Sequence, residues 1–360
     1  MKRLECLDGL RGVLAVYVMA GHMAPFARLP EWVQRGLSHG GAAVDVFFML
    51  SGLVILRSLQ SHRFAAGPFL KARVTRIFPV YLAMLAAGIA VQAIPASLAE
   101  MPWIGADSPA HGIWESGWPR DWPARIAAHL TMTHGLFPDG ILPDVWVSFL
   151  GAAWSLSTEW QFYLLVLLSG RAGLPSARMP WAFLALAGAG LAWDWFCPDV
   201  WRFSRAFLPN KAQYFALGIA SAAFLERRSF REFGPVLAAV LVLSAGTPGK
   251  LLPPLVWSVC LAAQVWKVQA AGPLRWRMTQ WLGAISYPLY LVNEPLQKLA
   301  AVGLARIANG DAAVFTALWL PAAVLGPIGA AALLHRYLEA PALAWGRARA
   351  HGLTAMGVRS

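Results

Sequence analysis

Two ionisable residues sit on one apolar run near the start of the chain, DGLRGVLAVYVMAGHM at 8–23. Arg11 and His22 are eleven residues apart, and eleven helical steps of about 100° return to within about 20° of the starting direction. They therefore share one helix face, separated by about 16 Å of rise. A histidine near neutral pH accepts a proton from a hydroxyl, and an arginine holds a permanent charge. Two such groups on one stripe mark the two ends of a path.

Further polar residues interrupt other apolar runs. Asp45 lies in GGAAVDVFFMLSG (40–52), at a depth close to that of His22, and a carboxylate beside an imidazole would fix its tautomer. Arg73 and Arg76, three apart in KARVTRIFPVY (71–81), share a face, and paired guanidiniums suit phosphate recognition or lipid headgroups. Glu159 stands inside WSLSTEWQFYLL (154–165), with Arg11 as a possible counter-ion. Ser51, Tyr163 and Tyr290 are candidate donors to a developing oxyanion. SYPLYLVNEP (286–295) and HRYLEAP (335–341) add Asn293, Glu294 and Glu339. Intramembrane charge is costly and points to function. A basic patch at one end and a histidine–carboxylate pair at the other suit moving a group from a phosphorylated donor to a hydroxyl. They suit proton-coupled transport of a glycan or lipid equally well, although no inverted repeat of the transporter kind is visible.

The elements that must position these groups are apolar spans. Of the 360 residues 58% are hydrophobic and only 13% charged, against about 25% charged in soluble domains. Apolar runs bounded by Gly, Pro and charge fall near 10–27, 41–60, 76–97, 146–169, 180–197, 211–226, 233–247, 250–267, 281–304 and 313–336. The expected fold is all-α: a polytopic membrane bundle of about ten transmembrane helices, with a re-entrant or interfacial segment at 122–137. The connection at 98–145 reads as a lid or as a loose loop.

The net charge of +12 does not call for nucleic acid. The basic residues cluster in short connectors, and with the N-terminus inside, the inner segments hold 20 of the 30. Both termini would then be cytoplasmic. The first segment reads as a retained helix, because Arg11 interrupts it and no A-x-A site follows. Cys6, Cys197 and Cys260 are scattered and predict neither a disulfide framework nor a metal cluster. Residues 1–345 form one membrane domain, and 346–360 a basic cytoplasmic tail.

From LDGLRG at 7–12 to LEAP at 338–341 the chain resembles the membrane acyltransferase-3 family, the integral-membrane O-acyltransferases of surface and secreted glycans. The Arg11–His22 spacing, VDVFFMLSG, the Arg73/Arg76 pair with IFPVY, WSLSTEWQFYLL, LGAISYPLYLVNEPL and the closing LEAP follow in the family's order. The resemblance implies a ten-helix protein of the bacterial cytoplasmic membrane. It would use acetyl-CoA or another short acyl-CoA as donor substrate, with no tightly bound cofactor, and a carbohydrate or glycosylated acceptor. It implies His22 as the catalytic residue with Arg11 as its partner motif, and Arg73 and Arg76 as the donor site. Asp45 and Glu159 match family positions. Membrane lipid is the other expected partner. A partner for the final transfer would be a separate extracytoplasmic protein, since no soluble esterase-like domain is visible here. One departure stands out: Asn293 replaces the histidine that the family often carries before Glu-Pro.

Overall fold

The computed structural model describes residues 4–111, 117–227 and 229–347. Among the described residues there is no strand, only an isolated bridge between Pro138 and Phe203. The long helices are α1 (Glu5–Met23), α3 (Gly40–Ser61), α4 (Ala66–Gln92), α6 (Trp154–Arg171), α7 (Met179–Phe196), α8 (Ala212–Arg227), α9 (Phe230–Ser244), α10 (Leu252–Trp266), α11 (Arg277–Ala308) and α12 (Ala312–Leu334). Two shorter ones are α2 (Glu31–Leu37) and α5 (Trp122–Leu130). Each predicted span coincides with one long helix. Among the described residues three stretches are long and apolar enough to cross a membrane, Glu31–Ser61, Ala66–Gln92 and Ala312–Arg347, while Leu252–Trp266 is apolar but shorter. The chain is thus an all-helical membrane protein.

Local chemistry sets the helix ends. Proline in the first turn opens α5, α7 and α10, where its missing N–H costs nothing. The Asp311 carboxylate caps α12 by accepting from the N–H groups of Ala313 (2.7 Å) and Val314 (3.1 Å). Asn309 and Gly310, both at positive φ, end α11. Two predicted starts differ by eight residues or more. α4 begins ten residues before 76, because its first turns are helical yet too basic to register as apolar. α6 begins at Trp154 rather than 146, since Phe149 takes a positive φ and the preceding residues form short 3-10 turns.

Two close helix crossings hold the bundle. α1 packs on α11, which also packs on α12 and α4, and α3 packs on α8, which also packs on α7 and α9. Gly12 of the DGLRG motif serves the first crossing, while Gly9 meets the backbone of Leu274 just before α11. A methyl on Gly12 would lie 2.6 Å from the backbone nitrogen of Gly283, so only glycine allows this approach. α1 and α3 join the two halves.

The connection at 98–145 is tied down in its later part. α5 leads into Met132, a residue at positive φ, and the rings of His129 and His134 then stack 4.1 Å apart. His129 Nε2 bonds the Val145 carbonyl at 3.0 Å, His134 Nε2 bonds that of Ala153 at 3.2 Å, and the Gly135 N–H donates to Ser157 Oγ at 3.0 Å. The 122–137 segment is therefore a short helix folded onto the start of α6. Residues 112–116 lie outside the described part, as does the predicted basic tail from 348 onward.

Candidate active site

A cavity of about 1090 Å³ opens between α1, α3, α4, α6 and α11. His62, Arg63, Lys71, Arg73, Arg76 and Arg347 give it a basic mouth. Val44, Phe47, Phe48, Leu156 and Tyr290 line its apolar inner part, and Arg11, Ser51 and Glu159 also face it.

The two mouth arginines differ. Arg76 forms an ion pair with the fully buried carboxylate of Glu339, which also bonds His335 Nδ1 at 2.7 Å. Its guanidinium rests 5.6 Å above the Tyr287 ring. The hydrogen bond given by Arg73 is to Ser58 Oγ at 3.3 Å, and its buried Nε has no hydrogen-bond partner among the described residues. Spacing predicts both as anion ligands. The structure satisfies Arg76 from within and leaves donor capacity on Arg73.

Deeper in, Glu159 accepts hydrogen bonds from Ser51 Oγ and, at 2.6 Å, from Tyr163 Oη. Arg11 lies within the field of Arg76 as well as of Asp8, Glu159 and Glu339. The Glu159 carboxylate thus holds two hydroxyl donors, the hydrogen bonds a buried charge requires. Of the three predicted oxyanion donors, Ser51 and Tyr163 are committed to Glu159. Tyr290 Oη pairs with Ser155 Oγ at 2.9 Å.

The eleven-residue spacing on α1 turns both of its polar groups inward, Arg11 to the cavity wall and His22 to α11. His22 is half-buried just beyond the cavity, and its Nδ1 lies 2.7 Å from Oδ1 of Asn293. Asn293 sits one turn past Tyr290 on α11, about 4.5 Å of rise from the cavity's inner wall.

The expected pairing of Asp45 with His22 is corrected by the structure. Asp45 forms an ion pair with Lys211 at 2.7 Å, and the ammonium of Lys211 also sits over the rings of Trp154 and Tyr214. A buried carboxylate takes a cation when one is in reach, and the 3-10 turn leading into α8 presents that cation 166 residues further along the chain, where no sequence pattern marks it. Glu294 likewise serves as an anchor, accepting from the Ala152 N–H at 2.9 Å with Lys298 at 3.6 Å. Asn293, by contrast, stood in a quoted motif. Its amide does not titrate, so no charge in the sequence marks it.

The family's domain, described as "Acyltransferase domain", matches residues 4–336. The chain belongs to the acyltransferase-3 family. The match spans α1, α3, α4, α6 and α11, the helices between which the cavity opens. Among characterised relatives, "Acyltransferase MdmB" of Streptomyces mycarofaciens is 28% identical over 278 residues, 70% of this chain and 65% of that protein. "Protein 2 in picA locus" of Rhizobium radiobacter is 36% identical over 89 residues, 24% of this chain and 44% of that one. The chain therefore covers less than two thirds of either relative. No solved structure matches it. For an acyltransferase-3 protein, the cavity with its basic mouth, together with His22 beyond its inner wall, is the candidate active site.

Proposed function

We propose that the protein is a membrane O-acyltransferase. It moves an acyl group, acetyl in the simplest case, from cytoplasmic acyl-CoA to a hydroxyl of an extracytoplasmic glycan or related acceptor. Its ten long helices span the cytoplasmic membrane with both termini inside. The observation that carries this reading is a single cavity with a basic mouth at one end and His22 just past the other.

Arg73 and Lys71, at the mouth, hold the CoA phosphates, while Arg76 stiffens the rim through Glu339. The pantetheine arm enters between α3 and α6, and its thioester lies near Tyr290. His22 takes the acceptor's hydroxyl proton. The oxygen attacks the thioester carbonyl, the C–S bond breaks, and the departing thiolate receives the proton from the imidazolium. Direct attack on the thioester by His22, giving an acyl-imidazole later opened by the hydroxyl, uses the same geometry. Ser155 Oγ also reaches the Ala152 carbonyl at 3.4 Å, so Tyr290 would serve the oxyanion by turning its hydroxyl away from Ser155. CoA is a substrate, and no resident cofactor is needed.

Sealed proteoliposomes with a known orientation test this. Labelled acetyl-CoA supplied on the side of the basic mouth should release CoA or label the protein. The same donor supplied only on the His22 side should do neither. Turnover from the His22 side alone would overturn the reading, and substrate movement without CoA release would favour a transporter.

A further inference from the structure

We propose that Asn293 is the positioning residue that sets the tautomer of His22, holding the proton on Nδ1 and leaving Nε2 as the base. This rests on the reading of His22 as the group that takes the acceptor's proton.

Asn293 is fully buried, and three short contacts determine its amide orientation. Nδ2 lies 3.0 Å from the Leu289 carbonyl oxygen and 2.7 Å from that of Tyr290. Both oxygens only accept, so the atom facing them must be the NH2 group, which has two protons to give. The flipped amide would set three oxygens against one another with no proton between them. Oδ1 is therefore the atom that faces His22, at 2.7 Å from Nδ1. An amide oxygen only accepts, so Nδ1 carries the hydrogen. A neutral imidazole has a single N–H, and its lone pair is then on Nε2.

The arrangement persists through a catalytic cycle. When Nε2 gains a proton, Nδ1–H still donates to Oδ1, and the ring does not turn. Asn293 adds no charge to the site. The charged residues next along α11, Glu294 and Lys298, are near each other, and Glu294 also holds the Ala152 N–H. A histidine at position 293 would have its own tautomer and its own titration. An amide anchored to its own helix backbone has neither.

The test combines three variants, kinetics and nitrogen NMR of 15N-histidine-labelled protein in nanodiscs. His22→Gln identifies the His22 signals by difference. In the wild type Nδ1 should read as protonated and Nε2 as bare above the ring's titration. Asn293→Ala removes the acceptor, so His22 should become a mixture of tautomers. Its kcat should drop about 10- to 100-fold with the KM for acetyl-CoA unchanged. Asn293→Asp keeps an acceptor and adds negative charge. It should keep the Nδ1–H tautomer, recover turnover relative to the alanine variant, and move the acidic limb of the pH–rate profile upward by about one unit. A single unchanged tautomer with wild-type kcat in Asn293→Ala would overturn the proposal, as would Nε2–H in the wild type. Full turnover in His22→Gln is a separate outcome: it would remove the base itself, and the proposal with it.

Discussion

The two ends of the cavity are built from opposite materials. The mouth is crowded with permanent charge, and part of that charge is already spent inside the protein. Arg76 is bound to Glu339, while Arg73 keeps donor capacity. The inner end holds its key residue with a neutral amide, and the nearby carboxylates are occupied elsewhere, Asp45 by Lys211 and Glu294 by Lys298 and the Ala152 backbone. A site that must bind polyanions needs unsatisfied cations. A site that must exchange one proton needs a ring whose tautomer does not drift, and a neighbouring charge would move its pKa. In the proposed function this contrast separates binding from chemistry along one path.

Mutations at the two arginines should split this contrast most widely. Arg76→Ala leaves a buried carboxylate with only His335 and should cost about 3–5 kcal/mol, read as a lowered Tm of the detergent-solubilised protein. An Arg76→Ala protein as stable as the wild type would mean that the rim is not held by this pair.

Acid should strike next, at the stacked histidines on the start of α6. Burial is the first cause holding both rings neutral. It lowers His134 to about 4, and it takes His129 well below its usual range, with repulsion from His134 adding to the effect. The unfolded chain binds these protons near pH 6.5 and the folded one does not, so the stability is complete above about 6.5 and is lost as pH falls toward 4. For His134 alone the loss approaches about 3 kcal/mol. A His129→Phe/His134→Phe variant should flatten the fall in Tm between pH 6.5 and 4.5, and an unchanged slope would assign the acid sensitivity to other groups.

Asp45→Asn sharpens the comparison from the inner side. It leaves Lys211 without its counter-ion and should lower Tm, yet the acidic limb of the pH–rate profile should stay in place, because Asp45 does not face His22. A shift of that limb would restore the carboxylate to the histidine. The smallest effect on stability belongs to Arg73→Ala, below about 1 kcal/mol, because Arg73 gives up one hydrogen bond to Ser58. Its effect should be on donor affinity instead.

The helices were legible because an apolar run bounded by Gly, Pro and charge has few other structures open to it, and because Arg11 and His22 share a face by simple periodicity. The start of α4 was less so, since a basic helical turn and a basic loop look alike in composition. Partners across the bundle were not legible at all. Lys211 reaches Asp45, and Glu339 reaches Arg76, through packing that no local pattern encodes. Asn293 was visible but undervalued, since holding a tautomer requires an acceptor rather than a titrating group.

The central claim, donor binding at the mouth and proton transfer at His22, is tested most directly by measuring acetyl-CoA affinity and turnover together in wild type, Arg73→Ala and His22→Ala. The account predicts that His22→Ala binds acetyl-CoA as the wild type does and transfers nothing, while Arg73→Ala binds about 10- to 100-fold more weakly and keeps its kcat at saturation. Loss of binding in His22→Ala, or loss of kcat with unchanged affinity in Arg73→Ala, would contradict it.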